Sequence, residues 1–315
     1  PGSTFKMITA TAGLQEGIIS PNTGIYDKGT FKDAGRPYAR CWIGSGSGSH
    51  GNVNVSEALE VSCNYFFYTV AYRMNKGAGD LSGINTLNKY MEAFGLNSPT
   101  GVEISELYDS MSQYPTHISS PEYKKYITQQ RDADAKESDY KWSAGDTIRT
   151  AIGQSYNNYT SALMSKYVAT LANGGTRYSM HFLNKITNND GKTEEEYQPK
   201  VESKIEIKKE NLDAIFKGMF LVTTGPRGTL RNYFKDFPVD VAAKSGTAQQ
   251  SSKRSEHTTF VAFAPLEDPQ ISVCVIIPFG NGTTGPAPKV AKVAISEYLK
   301  LDYKPELKSY DTLLH

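Results

Sequence analysis

The chain is poor in the features that would place it quickly. It has three cysteines in 315 residues, an odd and small number that excludes a disulfide framework. Its formal net charge is +1, so it lacks the basic footprint of a nucleic-acid binder. No apolar run approaches the length that spans a bilayer, no signal peptide opens the chain, and no internal repeat is visible. What remains is a globular composition, 38% hydrophobic and 21% charged, in a length that suits one large domain or two ordinary ones.

What is present begins at residue 1. Pro1-Gly2-Ser3-Thr4-Phe5-Lys6 puts a hydroxyl and an amine three residues apart. From Ser3 to Gly17 the spacing of Phe5, Ile8 and Leu14 predicts a helix with one apolar face, and Gly17 suits the position just past its end. Ser3 and Lys6 then share one turn, and the first N–H groups of the helix favour an alkoxide at Ser3. A catalytic helix with no strand before it to rest on implies a chain that starts inside its domain. We read residues 1–315 as one domain truncated at its N-terminus, with a pedestal domain and membrane anchor outside this chain.

Turn-rich sequence fills residues 18–53 and includes the flexible run Gly44-Ser45-Gly46-Ser47-Gly48-Ser49. Asn54 and Glu57 form a capping-box pattern for a helix that stops near Val61, and a second helix runs through Tyr65 to Tyr72. Ser62-Cys63-Asn64 therefore falls at a helix–helix junction. Residues 103–141 are polar and read as an irregular surface insertion. Thr160 caps another helix, residues 211–222 make a further one, and Ala287 to Leu299 a last one. Val239 to Lys244, Thr258 to Ala264 and Ile271 to Ile277 read as strands, the last two antiparallel neighbours. The expected fold class is α/β (α+β), an antiparallel sheet with helices on both faces.

Lys244-Ser245-Gly246-Thr247 follows the first of those strands. Three motifs now stand in order: Ser3-Thr4-Phe5-Lys6, Ser62-Cys63-Asn64 and Lys244-Ser245-Gly246-Thr247. Each is weak alone, but the ordered triple resembles that of the penicillin-binding proteins and serine β-lactamases. Trp142 to Thr147, Ile152-Gly153-Gln154 and Leu171 to Gly175 resemble the class B penicillin-binding proteins between their second and third motifs. Gly101-Val102-Glu103 and His50 to Val55 are similar to the elongation, PBP2-like branch of D,D-transpeptidases.

The resemblance implies a penicillin-binding transpeptidase fold and cross-linking of peptidoglycan stem peptides through an acyl-serine. It further implies acylation by β-lactams, an anchored enzyme on the outer face of the cell membrane, and a membrane glycosyltransferase of the elongation machinery as partner. Ser3 is then the nucleophile, Lys6 its base, Ser62 a proton relay to Lys244, and Asn64 a holder of substrate or of Lys6. Ser245, Gly246 and Thr247 suit the terminal carboxylate and strand-like pairing of the substrate. The backbone N–H groups of Ser3 and Thr247 suit the oxyanion. A free lysine titrates near ~10.4, so only about one in 2500 is neutral at pH 7, and Lys6 must be shifted down to serve. The chemistry itself needs no cofactor. A D,D-carboxypeptidase or β-lactamase shares this chemistry, but a separation of 182 positions from Ser62 to Lys244 is large for a compact β-lactamase. A reading of another class is a non-catalytic β-lactam sensor or scaffold.

Cys63 stands inside the middle motif, with Asp27, Cys41 and His50 upstream. Two thiols, an imidazole and a carboxylate make a tetrahedral zinc set, structural in role. Some elongation-type relatives carry a metal beside this motif, which favours the same expectation. Asp33 is the alternative to Asp27 as carboxylate. Cys274 alternates with apolar neighbours in a strand and reads as core.

Overall fold

The computed structural model describes residues 1–45, 48–77, 80–104, 116–248, 255–280 and 285–303. Parts of the Gly44–Ser49 run and of the 103–141 insertion lie outside the described residues.

A short 3-10 turn, Gly2–Phe5, leads into helix α1 (Lys6–Gln15). The expected single apolar face is wrong: every residue from Lys6 to Leu14 is buried. Small residues (Thr9, Ala10, Thr11, Ala12, Gly13) let neighbours close on all sides, so α1 is the central helix. Four short strands follow, β1 (Ile25–Asp27), β2 (Thr30–Phe31), β3 (Ala39–Arg40) and β4 (Gly51–Val53), with β1 paired to β4 and β2 to β3. Helix α2 (Val55–Glu60) opens with the expected capping box, Asn54 and Glu57 exchanging hydrogen bonds with each other's backbone. Helix α3 (Asn64–Met74) begins only four residues after α2 ends, and α4 (Ser82–Ala93) packs beside it.

The polar stretch is less irregular than expected. It carries α5 (Pro121–Arg131), capped by Ser120 with Pro121 in the first turn, and α6 (Glu137–Tyr140). Neither helix buries a residue, so no apolar periodicity marks them in the sequence. Helices α7 (Ala144–Thr150) and α8 (Ser161–Ala172) are capped by Ser143 and Thr160. Two exposed ribbons pair β5 (Thr176–Tyr178) with β8 (Val201–Lys204) and β6 (Lys185–Thr187) with β7 (Thr193–Glu196). Helices α9 (Lys209–Thr224) and α10 (Arg231–Phe234) lead to the main sheet.

That sheet has three antiparallel strands, β9 (Ala242–Ala248), β10 (His257–Ala264) and β11 (Ile271–Ile277), in the order β11-β10-β9. The first strand starts three residues later than expected, so Lys244-Ser245-Gly246-Thr247 lies inside it and not at its end. Val239 to Val241 cross from α10 instead, and pairing begins where Ala242 meets Phe263. Side chains alternate across β10: Phe260, Ala262 and Ala264 face helix α11 (Ala287–Tyr298), while Val261 and Phe263 face the core built on α1 and α9. Helices on both faces of an antiparallel sheet are thus observed. Cys274 is half-buried on β11, and burial raises its thiol to about 12.

Candidate active site

The 3-10 turn that carries Ser3 is held against one face of the sheet, over β9 and β10. A Cβ on Gly246 would stand 2.7 Å from the Pro1 carbonyl and 3.0 Å from Thr4 N, contacts only a glycine tolerates. Gly2, at φ +59°, has Thr247 backbone equally close, and its N–H donates to the Gly153 carbonyl at 3.0 Å. Thr259 Oγ1 donates to Pro1 O and Tyr167 Oη to Thr4 O. These contacts fix Ser3 at the mouth of a cleft of about 730 Å³.

Lys6 is fully buried and points at the middle motif. Its Nζ donates to Ser62 O (2.8 Å), Ser62 Oγ (3.1 Å) and Asn64 Oδ1 (2.7 Å). Sharing one turn with Ser3 does not pair them: no Ser3–Lys6 hydrogen bond occurs among the described residues, because all three ammonium donors are already taken. Lys244, also fully buried, donates to Ser62 Oγ (2.9 Å) and Ser245 O (3.1 Å). Burial lowers the Lys6 pKa to about 8, and burial with the neighbouring Lys6 charge drives Lys244 well below the ordinary lysine value. Neither amine has a carboxylate partner among the described residues.

Ser62 itself sits in the left-handed region, φ +54°, which costs a non-glycine residue about 1 kcal/mol. The α2–α3 junction imposes it: Ser62 N donates to Leu59 O and Cys63 N to Ala58 O, closing the end of α2. The Ser62 carbonyl accepts from Lys6, and the Trp42 indole N–H reaches the Val61 and Ser62 carbonyls at 3.1 Å each. Cys63 then caps α3, its Sγ accepting from Phe66 N at 3.4 Å. Ser3, Ser62, Asn64, Ser245, Gly246 and Thr247 all line the one cleft. Gln154 donates to the Thr247 carbonyl at 3.1 Å, tying the Ile152-Gly153-Gln154 stretch to β9.

The four candidate metal ligands also converge. Asp27, Cys41, His50 and Cys63 offer ligand atoms all within 4.8 Å of one another, whereas Asp33 is exposed and apart. The Cys41 and Cys63 sulfurs are 3.9 Å apart, Cys41 Sγ is 3.4 Å from His50 Nδ1, and Cys63 Sγ is 3.6 Å from Asp27 Oδ2. Tetrahedral zinc with ~2.3 Å sulfur and ~2.0 Å nitrogen or oxygen bonds has edges of roughly 3.8 Å between sulfurs and roughly 3.5 Å for mixed pairs. Asp27 Oδ2 and His50 Nδ1 are closer, at 2.7 Å, which is hydrogen-bond contact. The hydrogen bond from Cys63 and the neighbouring His50 pull the Cys41 thiol below its ordinary value, the direction that favours a metal-binding thiolate. A 3.9 Å separation is no disulfide. The residues therefore fit a zinc ion.

Sequence reasoning missed several cleft residues. Trp42 lies tilted against His50 (5.3 Å between ring centres, 56° between planes) and so touches both the candidate ligand cluster and the middle motif. Tyr68, Arg149, Arg40 and Thr229 line the cleft too. Tyr68 follows Asn64 by one helical turn, a spacing that marks it once Asn64 is placed. Nothing in the sequence alone brings Arg149 or Thr229 to the cleft. Glu60 and Asp146 face elsewhere: Glu60 accepts from Arg227 N at 3.0 Å, and Asp146 binds Ser143 and Lys124.

An antiparallel sheet clad on both faces, with a serine turn docked on its edge strand and two buried lysines meeting at a second serine, defines the penicillin-binding and serine β-lactamase class of fold. The model of the penicillin binding protein transpeptidase domain matches residues 1–295, and the chain belongs to that family, among its class B, PBP2-like members. It is 33% identical over 302 residues to the peptidoglycan D,D-transpeptidase MrdA of Escherichia coli, an alignment covering 91% of this chain and 43% of that protein. The chain thus spans less than half the length of this relative. The crystal structure of Pseudomonas aeruginosa PBP2 in complex with WCK 5153 superposes with a TM-score of 0.77 at 28% identity, over 99% of this chain and 61% of that one. A structure of a peptidoglycan synthase complex that coordinates polymerization and crosslinking matches with TM-score 0.77 at 25% identity, over 98% of this chain and 47% of that one.

Proposed function

We propose that this chain is the catalytic domain of a peptidoglycan D,D-transpeptidase of the elongation type, acylated by β-lactams at the same serine. The observation that carries the reading is the position of Ser62 Oγ between the Lys6 and Lys244 amines, in the cleft that Ser3 also lines. In the forward step Ser3 Oγ attacks the carbonyl between the two terminal D-alanines, and neutral Lys6 takes the hydroxyl proton. The Ser3 and Thr247 N–H groups hold the oxyanion. The C–N bond breaks, and the proton reaches the departing amine through Ser62, which exchanges with Lys244. Free D-alanine leaves, and an acceptor amine attacks the ester, returning the proton to Ser3 by the reverse route. Asn64 holds Lys6 in line, and Ser245 with Thr247 takes the terminal carboxylate while the substrate pairs with β9 across Gly246. No cofactor enters these steps.

Asp27, Cys41, His50 and Cys63 would hold a structural zinc ion, supported by the ligand spacing above. Four protein ligands would leave such an ion no open position for chemistry, and these residues would tie the β1–β4 loops to the Ser62–Asn64 junction. The domain works from the outer face of the cell membrane, tethered by segments beyond this chain. The likeness to a synthase complex supports a membrane glycosyltransferase as its partner. No helix of the described residues is long and apolar enough to cross a membrane.

The test is the mass of purified protein after penicillin: one covalent adduct, mapped to Ser3 and absent from Ser3→Ala. An adduct that persists in Ser3→Ala overturns the assignment. Transfer of a labelled D-amino acid onto a stem peptide, with the adduct hydrolysed only slowly, separates transpeptidase from carboxypeptidase and β-lactamase.

A further inference from the structure

The cleft carries positive charge that the acyl-transfer steps leave unused. Arg149 and Arg40 both line it. Among the described residues, neither forms an ion pair with a carboxylate. The nearest candidate on its own helix, Asp146, is committed to Lys124 and Ser143. Arg149 is half-buried on α7, which packs against α3. Both arginines neighbour Tyr68 of α3, Arg149 through its charge and the exposed Arg40 through its backbone. The Tyr68 hydroxyl donates to the Arg40 carbonyl at 3.4 Å, and the Arg149 charge opposes the burial that raises its phenol pKa. Tyr68 follows Asn64 by four residues, so this group sits about 6 Å further along α3 from the Lys6–Asn64 contact. It is on the α3 wall, whereas the residues assigned to the terminal carboxylate are on β9. Among the described residues, the carboxylate that lines the cleft, Glu256, adjoins β10 on that opposite wall.

A guanidinium without a carboxylate partner, half-buried in a substrate cleft, suits a planar two-oxygen anion. We propose that Arg149, with Arg40 beside it, forms a second anion subsite that takes a side carboxylate of the stem peptide, separate from its terminal carboxylate. Stem peptides carry such groups: the free α-carboxylate of a γ-linked glutamate, and the second carboxyl of a diamino diacid. The donor and the acceptor strand both offer them. The subsite rests on the transpeptidase reading, since it names the substrate feature that site would recognise.

The experiment is equilibrium binding to Ser3→Ala protein, which holds peptide without turning it over. Two pairs of synthetic peptides are used. Members of a pair differ only in a side carboxylate against the carboxamide. One pair ends in D-Ala-D-Ala as donors do; the other has the free amine and lacks that ending. In at least one pair the carboxylate should bind about 10- to 100-fold tighter, and the pair that shows it identifies the strand. Adding Arg149→Gln should bring that ratio close to one, and Arg149→Lys should keep part of it, which also serves if the glutamine variant does not fold. A ratio of one in both pairs, or a ratio that survives Arg149→Gln, overturns the subsite. The penicillin adduct on unsubstituted protein is scored separately. An adduct without the ratio removes the subsite alone, whereas the ratio without an adduct removes the catalytic reading and leaves the subsite.

Discussion

Ser62 Oγ lies 3.1 Å from Lys6 Nζ and 2.9 Å from Lys244 Nζ, two buried amines from opposite ends of the chain. Both amines reach the one oxygen, so its own proton has a place only on an amine that is neutral. Ser62→Ala removes the link between them. The acylation rate with a fluorescent penicillin should fall by about 100- to 1000-fold while the adduct still forms at Ser3. An unchanged rate would show that protons bypass Ser62.

The pH dependence follows from Lys6. Burial holds its pKa at about 8 against the usual 10.5, so the neutral, basic form grows as pH rises through 8. Acylation should climb from pH 6 to 9 with an apparent midpoint near the Lys6 value. Stability has the same sign. The folded pKa is depressed, so the unfolded chain binds more protons between about 8 and 10.5. The penalty for Lys6, on the order of 3 kcal/mol, is fully present below pH 8 and relieved as pH rises toward 10.5. A flat rate profile over pH 6–9 would contradict this.

Trp42 acts through Ser62 and is a positioning residue. Trp42→Phe keeps a ring over His50 but loses the N–H that reaches the Val61 and Ser62 carbonyls. The melting temperature should drop by only a few degrees, for a loss of about 1 kcal/mol. The penicillin acylation rate should fall more than the stability does, because the left-handed Ser62 backbone is less firmly held. Equal acylation in both proteins would make Trp42 plain packing.

Purified protein should contain about one zinc per chain. Cys41→Ser, a loop ligand that leaves Ser62-Cys63-Asn64 untouched, should bring metal content toward zero and lower the melting temperature, and a chelator should do the same to unsubstituted protein. Protein purified without metal, and indifferent to chelator, would rule the ion out.

Gly153 holds φ +73°, and a Cβ there would run into the Gly2 carbonyl and stand 2.7 Å from Phe5 Cβ. Gly153→Ala should destabilise by about 2–4 kcal/mol and slow acylation, since the turn bearing Ser3 must shift. Calorimetry and penicillin labelling on one preparation check both.

Much of the architecture was legible where local chemistry governs it. The Asn54–Glu57 capping box and the Thr160 cap each declare an element through backbone hydrogen bonding. Reading failed where tertiary contact overrode the pattern. Helix α1 looked one-sided yet is enclosed, because its small residues admit neighbours that spacing cannot reveal. Helix α5 gave no sign because it buries nothing. Strand β9 starts late because its register is set by Phe263 across the sheet.

By itself the sequence determined the order of three short motifs and which thiol, imidazole and carboxylate groups stand near Cys63, since residue identity and spacing are properties of the chain. Only the tertiary structure decided what those residues touch. It turned Lys6 toward Ser62 and Asn64, gathered Asp27 and not Asp33 with Cys41, His50 and Cys63, and brought Trp42, Tyr68 and Arg149 to the cleft. The reason is physical: contacts 56 and 182 residues apart in sequence are set by how helices α2 and α3 and strand β9 close around α1, and no local preference encodes that closure.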